Sequence, residues 1–153
     1  MDLMKLAIEV ESQVNNSAIS AEGFNLKQAI LLSVTDGEYG VTLHTPIRCG
    51  DVYELLNDDK ALAIAQRSHY VAVVTCGWAS PISDDGDDDE VAPSQHPKRR
   101  RVRLVVLASR SAVASVLRFS DDADEIVTDA GQARGSLADA IHDLMKQAGG
   151  SLN

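Results

Sequence analysis

Tyr70-Val71-Ala72-Val73-Val74-Thr75-Cys76-Gly77-Trp78 is the stretch that decides the fold. Between the flanking Tyr70 and Trp78 its residues are β-branched or small, and the apolar ones do not alternate with polar ones. A strand that is apolar on both faces must be covered on both, so it belongs at the centre of a sheet. A second apolar run, Val102-Arg103-Leu104-Val105-Val106-Leu107, follows, and Ser109-Arg110-Ser111 turns the chain into a third, Val113 to Phe119. Turns this short join neighbouring antiparallel strands, because parallel neighbours need a crossover of a dozen residues or more.

Upstream, Ala29-Ile30-Leu31-Leu32-Ser33-Val34 runs into Asp36-Gly37 and then Val41-Thr42-Leu43-His44, a hairpin pattern whose return strand is expected to end at Pro46. Leu3, Leu6, Ala7, Val10 and Val14 fall at helical spacing, with Asp2, Lys5, Glu9 and Glu11 assigned to the solvent side. Asp51 with Glu54 three residues on marks a helix start. That helix carries Leu55, Leu56, Leu62, Ile64 and Ala65, with a division offered at Asn57-Asp58-Asp59. Glu125 to Thr128 is strand-like. Leu137, Ala140, Ile141, Leu144, Met145 and Ala148 form the stripe of a last helix, whose Gly149-Gly150-Ser151 tail is expected to fray.

The expectation is one α+β domain over residues 1–153, with a mostly antiparallel sheet of about five strands and three helices in the order α-β-β-α-β-β-β-α. This order is similar to that of PAS-, GAF-, profilin- and roadblock-like domains, a likeness of fold that implies no function.

Between the two central strands lies Ser83 to Arg103, SDDGDDDEVAPSQHPKRRRVR. Asp84, Asp85, Asp87, Asp88, Asp89 and Glu90 come first, and Lys98, Arg99, Arg100, Arg101 and Arg103 follow. Unpaired ions cost several kcal/mol to bury, so residues 83–100 read as a disordered or mobile charged loop. Deleting Asp84 to Glu90 is expected to leave folding intact. Arg101 and Arg103 alternate with Val102 and Leu104, which assigns them to the solvent side of a strand start. Lys98 to Arg100 are assigned to answer the acidic run.

Of 14 Lys and Arg and 23 Asp and Glu, this segment holds five and six. Nine and 17 remain, a balance of −8 for the rest of the chain. An acidic body disfavours general attraction to phosphate backbones, and no aromatic residue interleaves the basic run to stack bases. Nucleic acid is therefore not the expected partner.

No site motif is present. The acidic run lacks the alternating oxygen ligands and distal carboxylate of a calcium loop. Cys49 and Cys76 are too few for a disulfide scaffold or a four-thiolate zinc site, and Cys76 reads as a buried small hydrophobe. His44, His69, His96 and His142 are isolated, with His142 assigned to the solvent face of the last helix. There is no phosphate-binding glycine loop and no Gly-x-Ser-x-Gly elbow. No catalytic, cofactor-binding or metal residue is named, and no cofactor is expected. Trp78, the only tryptophan, reads as core or rim packing, with an exposed position marking a binding surface.

With no leader pattern and no apolar span of ~20 residues, the expected location is cytoplasmic, away from membranes. The function that fits is a small acidic, non-enzymatic protein–protein interaction module or self-associating domain. Its binding residues would be Asp84, Asp85, Asp87, Asp88, Asp89, Glu90, Arg99, Arg100 and Arg101. The alternative is a small-molecule or metal-dependent sensor or enzyme with a noncontiguous site.

Overall fold

The computed structural model describes residues 2–17, 24, 28–79, 95, 97–122, 124–130 and 136–151. The elements are α1 (Leu3–Asn15), β1 (Ala29–Gly37), β2 (Gly40–Cys49), α2 (Val52–Leu56), α3 (Asp59–Gln66), β3 (Tyr70–Ala79), β4 (Arg100–Ala108), β5 (Val113–Phe119), β6 (Ile126–Ala130) and α4 (Ser136–Ser151). The six strands among the described residues form one sheet in the order β2-β1-β3-β4-β5-β6, antiparallel at every pairing.

The α+β class and the antiparallel sheet agree with expectation, and the counts differ in detail. Ile126–Ala130 pairs in register with β5 and adds a sixth strand. The middle helix is two helices, because Asp58 caps α3 by accepting from the Lys60 N–H at 2.7 Å. Asp51 caps α2 in the same way, accepting from the Tyr53 N–H at 2.7 Å.

β3 and β4 are central, and both of their faces are covered. On one face α1 lays Leu6, Ala7, Val10 and Val14 over Ile30, Ala72, Val74, Val105 and Leu107. On the other, α2, α3 and α4 bring Leu55, Ile64, Ile141 and Met145 onto Leu31, Val71, Val73 and Val106. Successive residues of a strand point to opposite faces, so one uninterrupted apolar run serves both layers.

Three local expectations need correction. The hairpin turn lies at Glu38-Tyr39, because Asp36 and Gly37 still pair across to Val41 and Gly40. Gly40 adopts φ 118°, a left-handed conformation that a side chain disfavours, and this fixes where the strand can reverse. Pro46 does not end β2. Leu31 pairs with Ile47 and Ser33 with His44, so Thr45 and Pro46 together face Leu32 in a bulge. β2 is an edge strand, where a missing N–H is tolerated. Finally, α4 continues through Gly149 to Ser151. A Cβ at Gly149 would stand 2.9 Å from the Cδ and Nε of Arg110, so the bare glycine lets that side chain lie against the helix. Arg110 also donates from Nη1 to the Ser68 carbonyl at 3.2 Å.

No helix is long and apolar enough to cross a membrane among the described residues.

Candidate functional site

The open end of β3 and β4, where the chain leaves and re-enters the sheet around the charged segment, holds the most chemically distinctive group of side chains. Asp84, Asp85, Asp87, Asp88, Asp89 and Glu90 lie outside the described residues, as do His96 and the middle of the charged loop. Arg99, Arg100 and Arg101 are described, and the strand separates them.

Cross-strand partners share a sheet face. Trp78 is opposite Arg101, and Cys76 is opposite Arg103, which is opposite Arg118. These residues all lie on the α1 face. Trp78 is 39% exposed, and the guanidinium carbons of Arg99 and Arg101 stand 4.8 and 5.1 Å from its ring centroid. Each such contact contributes ~0.5–1 kcal/mol at an exposed site. Arg101 is half-buried, and its Nε donates to the Phe24 carbonyl at 2.7 Å. The Phe24 ring in turn lies 4.9 Å below the Arg103 guanidinium. The result is an indole with two guanidinium groups set against it on a two-strand floor, with Lys98 and Arg99 exposed.

Arg100 points the other way. It does not wait on the acidic run. Its guanidinium donates to Asp121 at 2.9 Å and to Glu125 at 2.8 Å, and it covers the Phe119 ring at 3.8 Å. Hydrogen bonding to Asp121, then to Glu125, raises its pKa. The same contact holds the Asp121 carboxyl below the ordinary aspartate value. A depressed carboxyl contributes stability that is present above the unfolded aspartate pKa of ~3.9 and is lost as pH falls through the folded value. Arg100→Gln should therefore move the Asp121 titration upward in an NMR pH series. Its stability deficit relative to the parent should shrink as pH falls below the unfolded aspartate value of ~3.9. An unmoved Asp121 would show that this clamp is absent in solution.

Arg103 is the second correction. It is not on the solvent side of the strand: it is 1% exposed, as is Glu11, likewise assigned to solvent. Arg118 donates to both Glu11 oxygens, from Nη2 at 2.8 Å and from Nε. Arg103 Nη2 lies 3.8 Å from Glu11 and donates to the Asn15 side chain. The hydrogen bond to Glu11 raises the Arg118 pKa, whereas burial lowers that of Arg103 against the attraction of Glu11. This cluster pins the C-terminal part of α1 to the sheet beside the Trp78 platform. Nothing in the helical pattern marks Glu11 as inward except its place one position after Val10 and three before Val14.

Other expectations fare variously. Cys76 is half-buried, packed against the α1-side core without being enclosed. His142 is half-buried, and its Nε2 is enclosed with no hydrogen bond among the described residues. His44 is exposed and bonds Thr35 Oγ1 across the β1–β2 pair at 2.7 Å. A hollow of about 180 Å³ is lined by Ser33, His44, Ile64, Arg67 and Ser68. It falls below the ~300–1,000 Å³ usual for small-molecule sites, and its Ser33 hydroxyl is held by Ser68 at 2.7 Å. Among the described residues, no three His, Cys, Asp or Glu side chains converge as metal ligands.

Compared with protein-family models, with curated proteins and with solved structures, the chain shows no significant match to any.

Proposed function

We propose that this protein is a non-enzymatic protein–protein interaction module whose contact surface is the Trp78–Arg99–Arg101 end of the sheet. The observation that carries the reading is the exposure of the chain's single tryptophan with guanidinium groups set against it. Trp and Arg dominate the energetics of protein interfaces because each combines large apolar area with a polar edge. Trp78 and Arg101 are cross-strand partners on β3 and β4, so their backbone is already ordered when a partner covers them. The acidic balance of the chain, net −9, bears on association rate more than on affinity.

The test is capture of binding partners by the tagged protein in parallel with Trp78→Ala. A partner retained by the parent and lost from the variant, with an unchanged urea midpoint, supports the reading. A partner held equally by both overturns this choice of surface. Sedimentation of the purified protein separates self-association from binding to another chain.

A further inference from the structure

The geometry points to a binding site for one free inorganic phosphate ion in the hollow of about 180 Å³ where the end of α3 meets the β1–β2 pair. The site is separate from the Trp78 surface. Ser33, on its floor, pairs with Val71, seven residues from Trp78 along β3, roughly 23 Å of strand. The hollow is too small for a ligand of ordinary size but has room for one phosphorus with its four oxygens. Ser33 and Ser68 are 5% and 7% exposed, and the exposed Arg67 and His44 flank them.

The cation is Arg67. Its side chain makes one hydrogen bond among the described residues, from Nε to the Ala63 carbonyl at 3.2 Å, and no ion pair. That bond tethers the stem and leaves both Nη atoms to donate to an oxoanion as a fork. α3 ends here, and free carbonyls at a helix C-terminus would repel an anion. Three of them are occupied: Ala63 accepts from Arg67 Nε, Ile64 from Ser68 Oγ at 2.6 Å, and Ala65 from the Ser68 N–H at 3.2 Å. The Ser68 carbonyl accepts from Arg110 Nη1.

The hydroxyls decide which anion fits. A serine has one hydroxyl proton, and Ser68 gives its own to Ile64, so Ser33 is the donor at the 2.7 Å contact between the two serines. The Ser33 oxygen is left with acceptor capacity only. An oxoanion held by Arg67 over this floor must therefore carry a proton to give to Ser33. Inorganic phosphate keeps at least one at neutral pH. Sulfate and an ionised carboxylate have none, and a phosphate monoester, with a second pKa of ~6, has mostly lost its last. An unprotonated oxygen there would face the Ser33 lone pairs and leave a buried acceptor unmatched, which is a strong basis for rejection.

The test is an amide NMR titration of the full chain with sodium phosphate, sodium sulfate and methyl phosphate at pH 7 and fixed ionic strength. Phosphate should shift Ser33, Arg67 and Ser68 saturably, and sulfate and methyl phosphate should bind about tenfold or more weakly. Arg67→Gln changes an exposed residue and should raise the phosphate Kd about tenfold or more. Ser33→Ala leaves the Ser68–Ile64 bond in place and should bring phosphate and sulfate within about threefold of each other. No saturable shift, sulfate binding the parent as tightly as phosphate, shifts centred elsewhere in the chain, or a Kd unmoved by Arg67→Gln would overturn the site. Each of those results would leave the interaction-module reading of the Trp78 surface standing.

Discussion

Glu11→Gln is expected to destabilise the fold by about 3–5 kcal/mol, the cost of removing one partner from a buried ion cluster. The carboxylate is 1% exposed and accepts from Arg118 through both oxygens, with Arg103 also within 3.8 Å. The amide keeps the shape and loses the charge, leaving two guanidinium groups, one fully buried and one mostly so, without their counterion. Marginal domain stabilities of ~5–15 kcal/mol make this a large fraction of the total. Urea denaturation should show a lower midpoint at an unchanged slope, since the surface exposed on unfolding is the same. Replacing Glu11, Arg103 and Arg118 together with apolar residues of similar volume should recover much of the loss, because the desolvation cost of all three ions disappears with them. A loss below about 1 kcal/mol in Glu11→Gln would mean that water reaches the cluster in solution.

Ile141→Ala is expected to cost about 2–5 kcal/mol, through lost transfer energy and the cavity left behind. Ile141 is fully enclosed where α4 meets Val71, Val73 and Val106 on the sheet and Ile64 of α3. The effect should appear as a single cooperative transition at lower temperature, by roughly 2–4 °C for each kcal/mol at this chain length. Val127→Ala provides the contrast. Val127 lies on the β6 edge and is 47% exposed, so its truncation should stay within about 0.5 kcal/mol. Equal losses at the two positions would mean that α4 is not docked as described.

Most of the architecture is legible in the chain. The unbroken apolar run at Tyr70 requires a strand covered on both faces, and α1 on one side with α2 to α4 on the other provides that cover. The stripe Leu6-Ala7-Val10-Val14 reads directly as the buried face of α1. The misplaced hairpin turn has a simple cause: Asp36-Gly37 and Gly40 both carry turn chemistry three residues apart, and only the cross-strand register chooses between them. Pro46 reads as a strand end, and its place inside β2 is tolerated because β2 has no outer neighbour among the described strands.

The site was less legible. Exposing Val, Ile and Leu to water costs free energy wherever they lie along the chain, so their pattern alone assigns the layers, the antiparallel sheet and the helix stripes. A charged residue is different, because its place depends on whether a distant residue can pair with it. Arg103 and Glu11 are far apart in sequence and each looks like a solvent residue, yet the sheet and α1 bring them together and both are buried. Arg99 and Arg101 share a run with Arg100, and alternation along β4 sends Arg101 toward Trp78 and Arg100 toward Asp121 and Glu125. Local pattern determined the fold of this protein; only the packed sheet decided which of its charges are buried, paired or presented.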